Sequence, residues 1–197
     1  SGADDNTSAV AALLEIARIV RSRRFARTVR FVGFDLEEYG AVGSTRYVAA
    51  GGADDVVLAL ILECLGYASS DPDSQDGLPG IDLGSRGDFL LVVANGDSIE
   101  SARRSLALNH AFDFTSMKGL AAGGSAWYPL TSALTRSDNG PFWLESIPAL
   151  MFTDTADLRN PHYHETTDTP ETLSLPFFVG ATQAVAASVG LFAQVLP

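Results

Sequence analysis

The sequence predicts an α/β fold in which a mostly parallel sheet lies between layers of helices. Short apolar runs of strand length alternate along the chain with longer segments whose apolar residues recur at helical spacing. The run at residues 56–62 is continuously apolar, as in strands that are covered on both faces of a sheet. A length of 197 residues fits one such unit. We therefore expect residues 1–197 to form a single domain.

Strands and helices are expected at regular intervals. The predicted strands are residues 30–34, 56–62, 89–94 and 148–152, and the predicted helices are residues 7–20, 40–50, 98–109 and 174–195. Asn6 or Thr7 is available as the N-cap of the first helix. Residues 69–87, rich in Ser, Asp, Pro and Gly, and residues 119–137, rich in Gly, Ala and Ser, are predicted to be loops.

Composition excludes several classes of function. The formal net charge is −11, with 24 acidic against 13 basic residues, which argues against a nucleic-acid binder because such proteins need a basic surface. No uninterrupted apolar stretch reaches about 18 residues, so no membrane span is expected. Cys64 is the only cysteine, and no intrachain disulfide can form. These features leave the cellular compartment open.

Three polar segments stand at predicted loops: residues 2–8, 34–40 and 160–170. Each has an ordinary structural interpretation when taken alone. Carboxylates at residues 4 and 5 suit a helix N-terminus, and the pair at residues 37 and 38 suits a solvated strand end. The third segment favours a metal site more strongly, because two of the three histidines, His162 and His164, lie in this one loop. His110 stands apart and is expected at the surface.

The three segments together supply the ligands that a catalytic zinc requires. Such an ion takes about three protein ligands from His, Asp and Glu and keeps one position open. Asp5, Glu38 and His164 provide that set from three loops. Glu37 is the adjacent carboxylate that could act as general base. Glu63 is a fourth candidate ligand, since a carboxylate at the end of a buried apolar run is costly unless it binds a cation or hydrogen-bond donors.

Five segments of the chain are informative together: residues 2–8 (GADDNTS), 35–44 (DLEEYGAVGS), 62–67 (LECLGY), 137–143 (SDNGPFW) with 147–149 (IPA), and 161–164 (PHYH) with 167–173 (TDTPETL). They occur in the order of motifs found in the zinc aminopeptidases of peptidase family M28, and the sequence resembles that family. Any one of them is a weak signal, whereas their joint order from residue 2 to residue 173 is specific. The resemblance implies a mixed, mostly parallel central sheet sandwiched between helices, as in zinc exopeptidases.

The resemblance also implies roles for individual residues. Asp5 matches the aspartate that bridges two zinc ions, and Glu63 stands where the family often has an aspartate ligand. Glu37 matches the general base and Glu38 a zinc ligand. In the last motif His164 would be a zinc ligand and Tyr163 a hydrogen-bond donor to the developing oxyanion. The implied activity is hydrolysis of the N-terminal peptide bond of peptides, with Zn²⁺ as cofactor.

One departure from the family pattern affects these expectations. The family carries a His-x-Asp motif upstream of the bridging aspartate, and this chain begins at the bridging motif. The first histidine ligand and the N-terminal strands are therefore expected to be missing, and His162 is a less favoured substitute. From this we expect at most one tightly bound zinc rather than two, weak or absent activity, and an exposed sheet edge that favours homo-oligomers.

Two further interpretations remain open. One is a glutaminyl-cyclase-like acyltransferase, which resembles this set in using a single zinc and would need a Trp-lined pocket; Trp127 and Trp143 are candidates, although core packing explains each. The other is a metal-poor, non-catalytic fragment. Neither implies a nucleic-acid or membrane partner. A secreted or periplasmic location would suit the family.

Overall fold

Alternating side chains divide a four-stranded sheet into two buried faces. The computed structural model describes residues 2–78, 80–122 and 133–196. Its strands are β1 Ala59–Glu63, β2 Leu90–Ala94, β3 Met117–Ala121 and β4 Ala149–Thr153. Their order is β1-β4-β2-β3; β1 pairs with β4 and β2 with β3 in parallel, while β2 and β4 are antiparallel. The predicted mixed, mostly parallel sheet is confirmed.

Helices cover both faces of this sheet. They are α1 Ala9–Val20, α2 Val42–Ala49, α3 Ile99–Phe112, α4 Asn139–Leu144 and α5 Leu175–Ala193. On one face, Val92 of β2 and Phe152 of β4 pack with buried residues of α1, α3 and α5. On the other face, Val93 and Met151 pack with residues of α2 and α4. Because side chains alternate along a strand, the continuous apolar runs of β2 and β4 fill both layers.

Most predicted elements are found within a few residues of their expected bounds. The first helix, however, begins at Ala9 rather than at residue 7, and the expected cap at Asn6 or Thr7 is wrong. Asn6 instead accepts a hydrogen bond from the Cys64 backbone and donates one to the carbonyl of Leu62. The side chain therefore docks the first loop on the end of β1 rather than capping the helix.

The predicted strand at residues 30–34 is wrong. This stretch is not assigned to a strand, and no backbone hydrogen bond joins it to another part of the described chain. Its aromatic residue Phe34 packs edge-on against Tyr47 of α2 at 5.3 Å between ring centroids. A β-branched and aromatic sequence suits a strand, but a strand also requires a partner whose backbone groups face its own.

The segment expected to be a loop at residues 119–137 is partly wrong as well. Its first residues belong to β3, which pairs in parallel with β2 along its full length. Lys118 and Gly119 gave β3 little strand character in the sequence. Trp127, and the candidate pocket built on it, lies outside the described residues.

The last helix is long and apolar enough to cross a membrane by length and composition alone, with a mean hydropathy of 1.6. Its residues Phe177, Ala181 and Val185 nevertheless lie in the protein core and are at most 8% exposed. In the described structure α5 packs against α1 and α3. The apolar residues on the inward face of α5 are therefore explained by their packing in the core between the helices and the sheet.

Candidate metal centre

The centre lies where the carboxyl ends of two parallel strands meet. β1 ends at Glu63 and β4 at Thr153, and these two residues are paired in register. The chain after β4 leads into the loop that carries His164. Polar side chains collect at such strand ends because the following loops converge there.

Asp5 is positioned by the segment that precedes α1. This segment, Ala3–Ser8, has non-helical backbone angles at Asp5 and Asn6, and the peptide between these two residues is cis. Next to it, the buried Asp4 accepts hydrogen bonds from the backbone of Gly66 and the side chain of Asn160, both at 2.8 Å. A Cβ atom on Gly66 would lie 2.9 Å from Cδ2 of Leu173 and 3.1 Å from Oδ1 of Asp4, so a side chain there would force these neighbours to move. These contacts hold Asp5 over the end of β1.

Glu37 and Glu38 lie on a single 3₁₀ turn, Glu37–Tyr39, rather than at the end of a strand as predicted. The turn is flanked by Leu36 and Ala41, whose φ angles of 52° and 53° are in the left-handed region. Non-glycine residues adopt this region at an energetic cost and do so often at functional sites. The turn leads into α2, which anchors it in the core through the buried Val48.

His164 brings the first ligand set together. Its Nε2 atom lies 3.1 Å from Oδ2 of Asp5 and 3.2 Å from Oε2 of Glu38. The ligand atoms of these three residues all lie within 4.8 Å of one another. The Asp5 side chain is 9% exposed, whereas those of Glu38 and His164 are about half exposed. One imidazole and two carboxylates, open to solvent on one side, match the donor set of a catalytic metal site.

Asp5 also belongs to a second group with Glu63 and Cys64. Glu63 receives hydrogen bonds from the hydroxyl of Ser137 and the thiol of Cys64. Burial strongly raises the pKa of the Cys64 thiol, so this sulfur is not predisposed to ligate as a thiolate. The second group therefore consists of two carboxylates that share Asp5 with the first.

Three carboxylates of the centre, those of Asp5, Glu37 and Glu63, have raised pKa values. Burial, reinforced by the charge of Glu38, raises the pKa of Asp5 to about 6. Burial together with the charges of Glu63 and Asp138 raises the pKa of Glu37 to about 7, and burial raises that of Glu63 to about 7 as well. The raised pKa of Asp5 is typical of a carboxylate that lacks a neighbouring cation. The raised pKa of Glu37 suits a general base that works near neutral pH.

Tyr163 stacks on the imidazole of His164, with ring centroids 4.0 Å apart and an angle of 14° between the rings. Burial raises the pKa of its phenol, next to the charge of Asp5, so the hydroxyl stays protonated. The guanidinium of Arg136 acts on the phenol in the opposite direction. Tyr163 is therefore a permanent hydrogen-bond donor beside the ligand set.

The remaining histidines lie outside the ligand groups found among the described residues. Nδ1 of His162 is 2.9 Å from the hydroxyl of Thr167, and His162 does not join Asp5 and Glu63. His110 is exposed on α3, as predicted. Trp143 donates its indole N–H to the carbonyl of Ala149 and packs in the core.

Two carboxylates that sequence reasoning did not assign are part of this region. Asp138 is a charged neighbour of Glu37 and lies at residues 137–143, a segment to which the resemblance assigned no metal ligand. Asp168 accepts hydrogen bonds from the backbone N–H groups of Asp4 and Asp5. It lies in the last of the segments that resemble family motifs, and this position was the sequence signal that could have indicated a link to the ligand loop.

The profile of Peptidase family M28 matches residues 1–189. The chain belongs to this family. It is 34% identical over 181 residues to the uncharacterized protein YfbL of Escherichia coli, an alignment that covers 88% of this chain and 54% of YfbL. It is 31% identical to the probable lipoprotein aminopeptidase LpqL of Mycobacterium tuberculosis, with 98% of this chain and 40% of LpqL covered. The chain thus spans about half the length of these relatives.

Solved structures give the same fold. LapA aminopeptidase of Legionella pneumophila matches with a TM-score of 0.74 at 21% identity, covering all of this chain and 48% of LapA. The zinc aminopeptidase BSAP of Bacillus subtilis matches with a TM-score of 0.67 at 25% identity, covering 98% of this chain and 42% of BSAP. The glutaminyl cyclase of Tannerella forsythia matches less closely, with a TM-score of 0.56 at 17% identity over 95% of this chain and 63% of the cyclase.

The raised pKa values predict that the metal-free protein loses stability as the pH rises. Between pH 4.5 and 7 the folded state keeps protons on Glu37 and Glu63 that the unfolded chain releases, so stability falls through this window and the loss is complete above it. For Glu63 alone the change from 4.5 to about 7 corresponds to about 3 kcal/mol. Urea unfolding of the metal-free protein at pH 5 and pH 8 measures this difference.

Glu63→Gln is the matching variant, since it keeps the shape of the side chain and removes its charge. We expect it to reduce the difference in unfolding free energy between pH 5 and pH 8 by about 3 kcal/mol. An unchanged pH dependence in this variant would show that Glu63 is already ionised in the folded, metal-free protein.

Proposed function

We propose that the protein is a zinc-dependent aminopeptidase that hydrolyses the N-terminal peptide bond of peptides. The observation that carries this proposal is the convergence of Asp5, Glu38 and His164 within 4.8 Å, with Glu37 on the same turn as one of them. The names of LpqL and BSAP support it, because each is described as an aminopeptidase and BSAP as a zinc enzyme. Asp5, Glu38 and His164 would hold the ion.

Glu37 and Tyr163 would have different roles in hydrolysis beside the bound ion. Zinc, when bound, would supply a Lewis acid that polarises the scissile carbonyl and lowers the pKa of the attacking water. The Glu37 carboxylate would take the proton of that water and pass it to the leaving amine. The protonated phenol of Tyr163 would donate a hydrogen bond to the carbonyl oxygen as negative charge develops there.

The glutaminyl-cyclase alternative is supported by fold alone, at 17% identity. A chain of that activity would convert the N-terminal glutamine into a pyroglutamyl residue that stays attached to the peptide and would release ammonia, whereas an aminopeptidase would release free glutamine. Product analysis on one such peptide separates the two activities.

Glu37→Gln should preserve zinc binding and remove most hydrolysis. A lost general base costs on the order of 100- to 10,000-fold in rate. The measurement is turnover of an aminoacyl amide by the full-length protein, together with its zinc content. Glu38→Gln is the matched control from the same turn, and we expect it to lower zinc affinity first. Turnover like that of the wild type in Glu37→Gln would remove Glu37 from the role of base.

Tyr163→Phe should lower the chemical rate with little change in zinc content. The substitution keeps the ring that stacks on His164 and removes only the hydroxyl, and the loss of one oxyanion donor costs roughly 3 kcal/mol, or about 100-fold in kcat. Steady-state kinetics and the melting temperature are the readouts. A variant that unfolds readily, or that keeps full activity, would assign Tyr163 to packing under the loop.

We expect one zinc ion to be held more tightly than any second. The group of Asp5, Glu38 and His164 contains an imidazole, whereas the group of Asp5 and Glu63 offers only carboxylates and a thiol with a raised pKa. After dialysis against a weak chelator, metal analysis should return about one zinc per chain. Two retained ions per chain, with His162 or a neighbouring chain as additional ligand, would contradict this expectation.

A further inference from the structure

Asp168 is buried at the junction of two segments that carry proposed metal ligands. It is 2% exposed, and its carboxylate accepts hydrogen bonds from the backbone N–H of Asp4 at 3.0 and 3.2 Å. It also accepts one from the backbone N–H of Asp5 at 3.1 Å. In addition, the N–H of Ala3 donates to the Asp168 carbonyl at 3.3 Å. Three consecutive residues of the first segment are thus bound to one residue.

The same residue closes the turn that carries His164. The backbone N–H of Asp168 donates to the carbonyl of Glu165 at 3.1 Å, and Glu165 in turn donates to the carbonyl of His162 at 2.9 Å. His164 itself has a φ of 57°, so the loop must be held in a conformation that a non-glycine residue rarely adopts. The backbone N–H of Asp168 therefore holds this turn, while its side-chain carboxylate holds the segment that carries Asp5.

We propose that Asp168 is a positioning residue that sets the placement of Asp5 relative to His164 before the metal binds. Bonds from N–H groups to a carboxylate are among the stronger hydrogen bonds, and in a buried site they are shielded from competing water. Holding ligands in place in advance reduces the ordering that metal binding must otherwise impose. The inference rests on the metal site proposed above.

A purely structural role would have different consequences. If Asp168 only helped the two loops to fold, its loss would lower the stability of the metal-free protein and leave the ligand geometry of the folded molecules unchanged. A positioning role instead predicts a loss of metal affinity that exceeds the loss of stability, together with a changed coordination geometry. The two roles therefore differ in readouts that do not depend on catalysis.

The test variant is Asp168→Asn. The amide has a single acceptor oxygen, and its NH₂ group would face one of the backbone N–H donors of Asp4 or Asp5, so that the Asp5 segment must shift. We expect Zn²⁺ affinity, measured by competition with a chelator, to fall about 10- to 100-fold. The visible absorption of the Co²⁺-substituted protein should change, while the metal-free melting temperature stays within about 5 °C of the wild type.

Glu165→Gln is the control for charge. It removes one negative charge next to His164 but leaves the N–H bonds of Asp168 in place, and we expect its Zn²⁺ affinity to change less than about threefold. Equal losses in the two variants would overturn the proposal. So would Zn²⁺ affinity within threefold of the wild type and an unchanged Co²⁺ spectrum in Asp168→Asn.

A second variant, Asp168→Glu, covers the case in which Asp168→Asn does not fold. It keeps the charge and both acceptor oxygens but displaces them by one methylene, and a weakening of Zn²⁺ binding of at least 10-fold in a folded protein is expected. Failure of both variants to fold would overturn the proposal and assign Asp168 to stability alone. Absence of Zn²⁺ binding by the wild type would instead refute the proposed function, so the two failures are distinguishable.

Discussion

Repulsion among carboxylates is the constraint on which the rest of the centre depends. Asp5, Glu37, Glu38 and Glu63 converge at the end of β1, and burial and mutual charge raise the pKa of three of them. Removing several carboxylates from water without a cation is unfavourable, and proteins respond by protonating them or by binding a metal. His164 is the one imidazole that lies against these groups in the described structure. A divalent cation would neutralise the negative charges of these carboxylates that His164 does not compensate, and for this reason the arrangement suits a metal ion.

A set of groups that repel one another stays together only if its backbone is held firmly. The hydrogen bonds of Asn6 to β1, of Asp4 to Gly66, and of Asp168 to the Asp5 segment perform this function. The positive φ angles at residues 36, 41, 64 and 164 lie on or beside the segments that carry the ligands. Each conformation costs free energy on its own, and it persists because the surrounding sheet and helices determine the course of the chain. The packing of the α/β core thus offsets the free-energy cost of the backbone conformations that form the site.

The sequence predicted the features that follow from the chemical nature of the side chains, such as apolar strands and the ligand motifs. It missed the features that depend on which backbone segments lie side by side in the fold. Long apolar runs identified β2, β4 and α5, and the motifs identified Asp5, Glu38 and His164 as a group that the fold brings together. The stretch at residues 30–34 has strand composition, yet no backbone partner faces it in the described residues, and composition cannot report on that. β3 forms because β2 offers it an edge, although its own sequence favours a strand weakly. The contacts behind the role proposed for Asp168 were equally hidden, since its partners are backbone N–H groups that carry no sequence signal.

The contrast between Glu37 and Glu38 shows how local backbone geometry assigns different chemistry to identical side chains. In a 3₁₀ turn successive residues point about 120° apart. Glu38 consequently reaches His164 at 3.2 Å, whereas the charges of Glu63 and Asp138, together with burial, act on Glu37. The environment of Glu38 pairs its carboxylate with the imidazole of His164, whereas the environment of Glu37 raises the pKa of its carboxyl group to about 7. A strand end, as the sequence suggested, would have placed the two side chains on opposite faces of the sheet, and only one of them could then have faced the centre. The turn is therefore the feature that would allow the proposed ligand Glu38 and the proposed base Glu37 to act on the same metal ion.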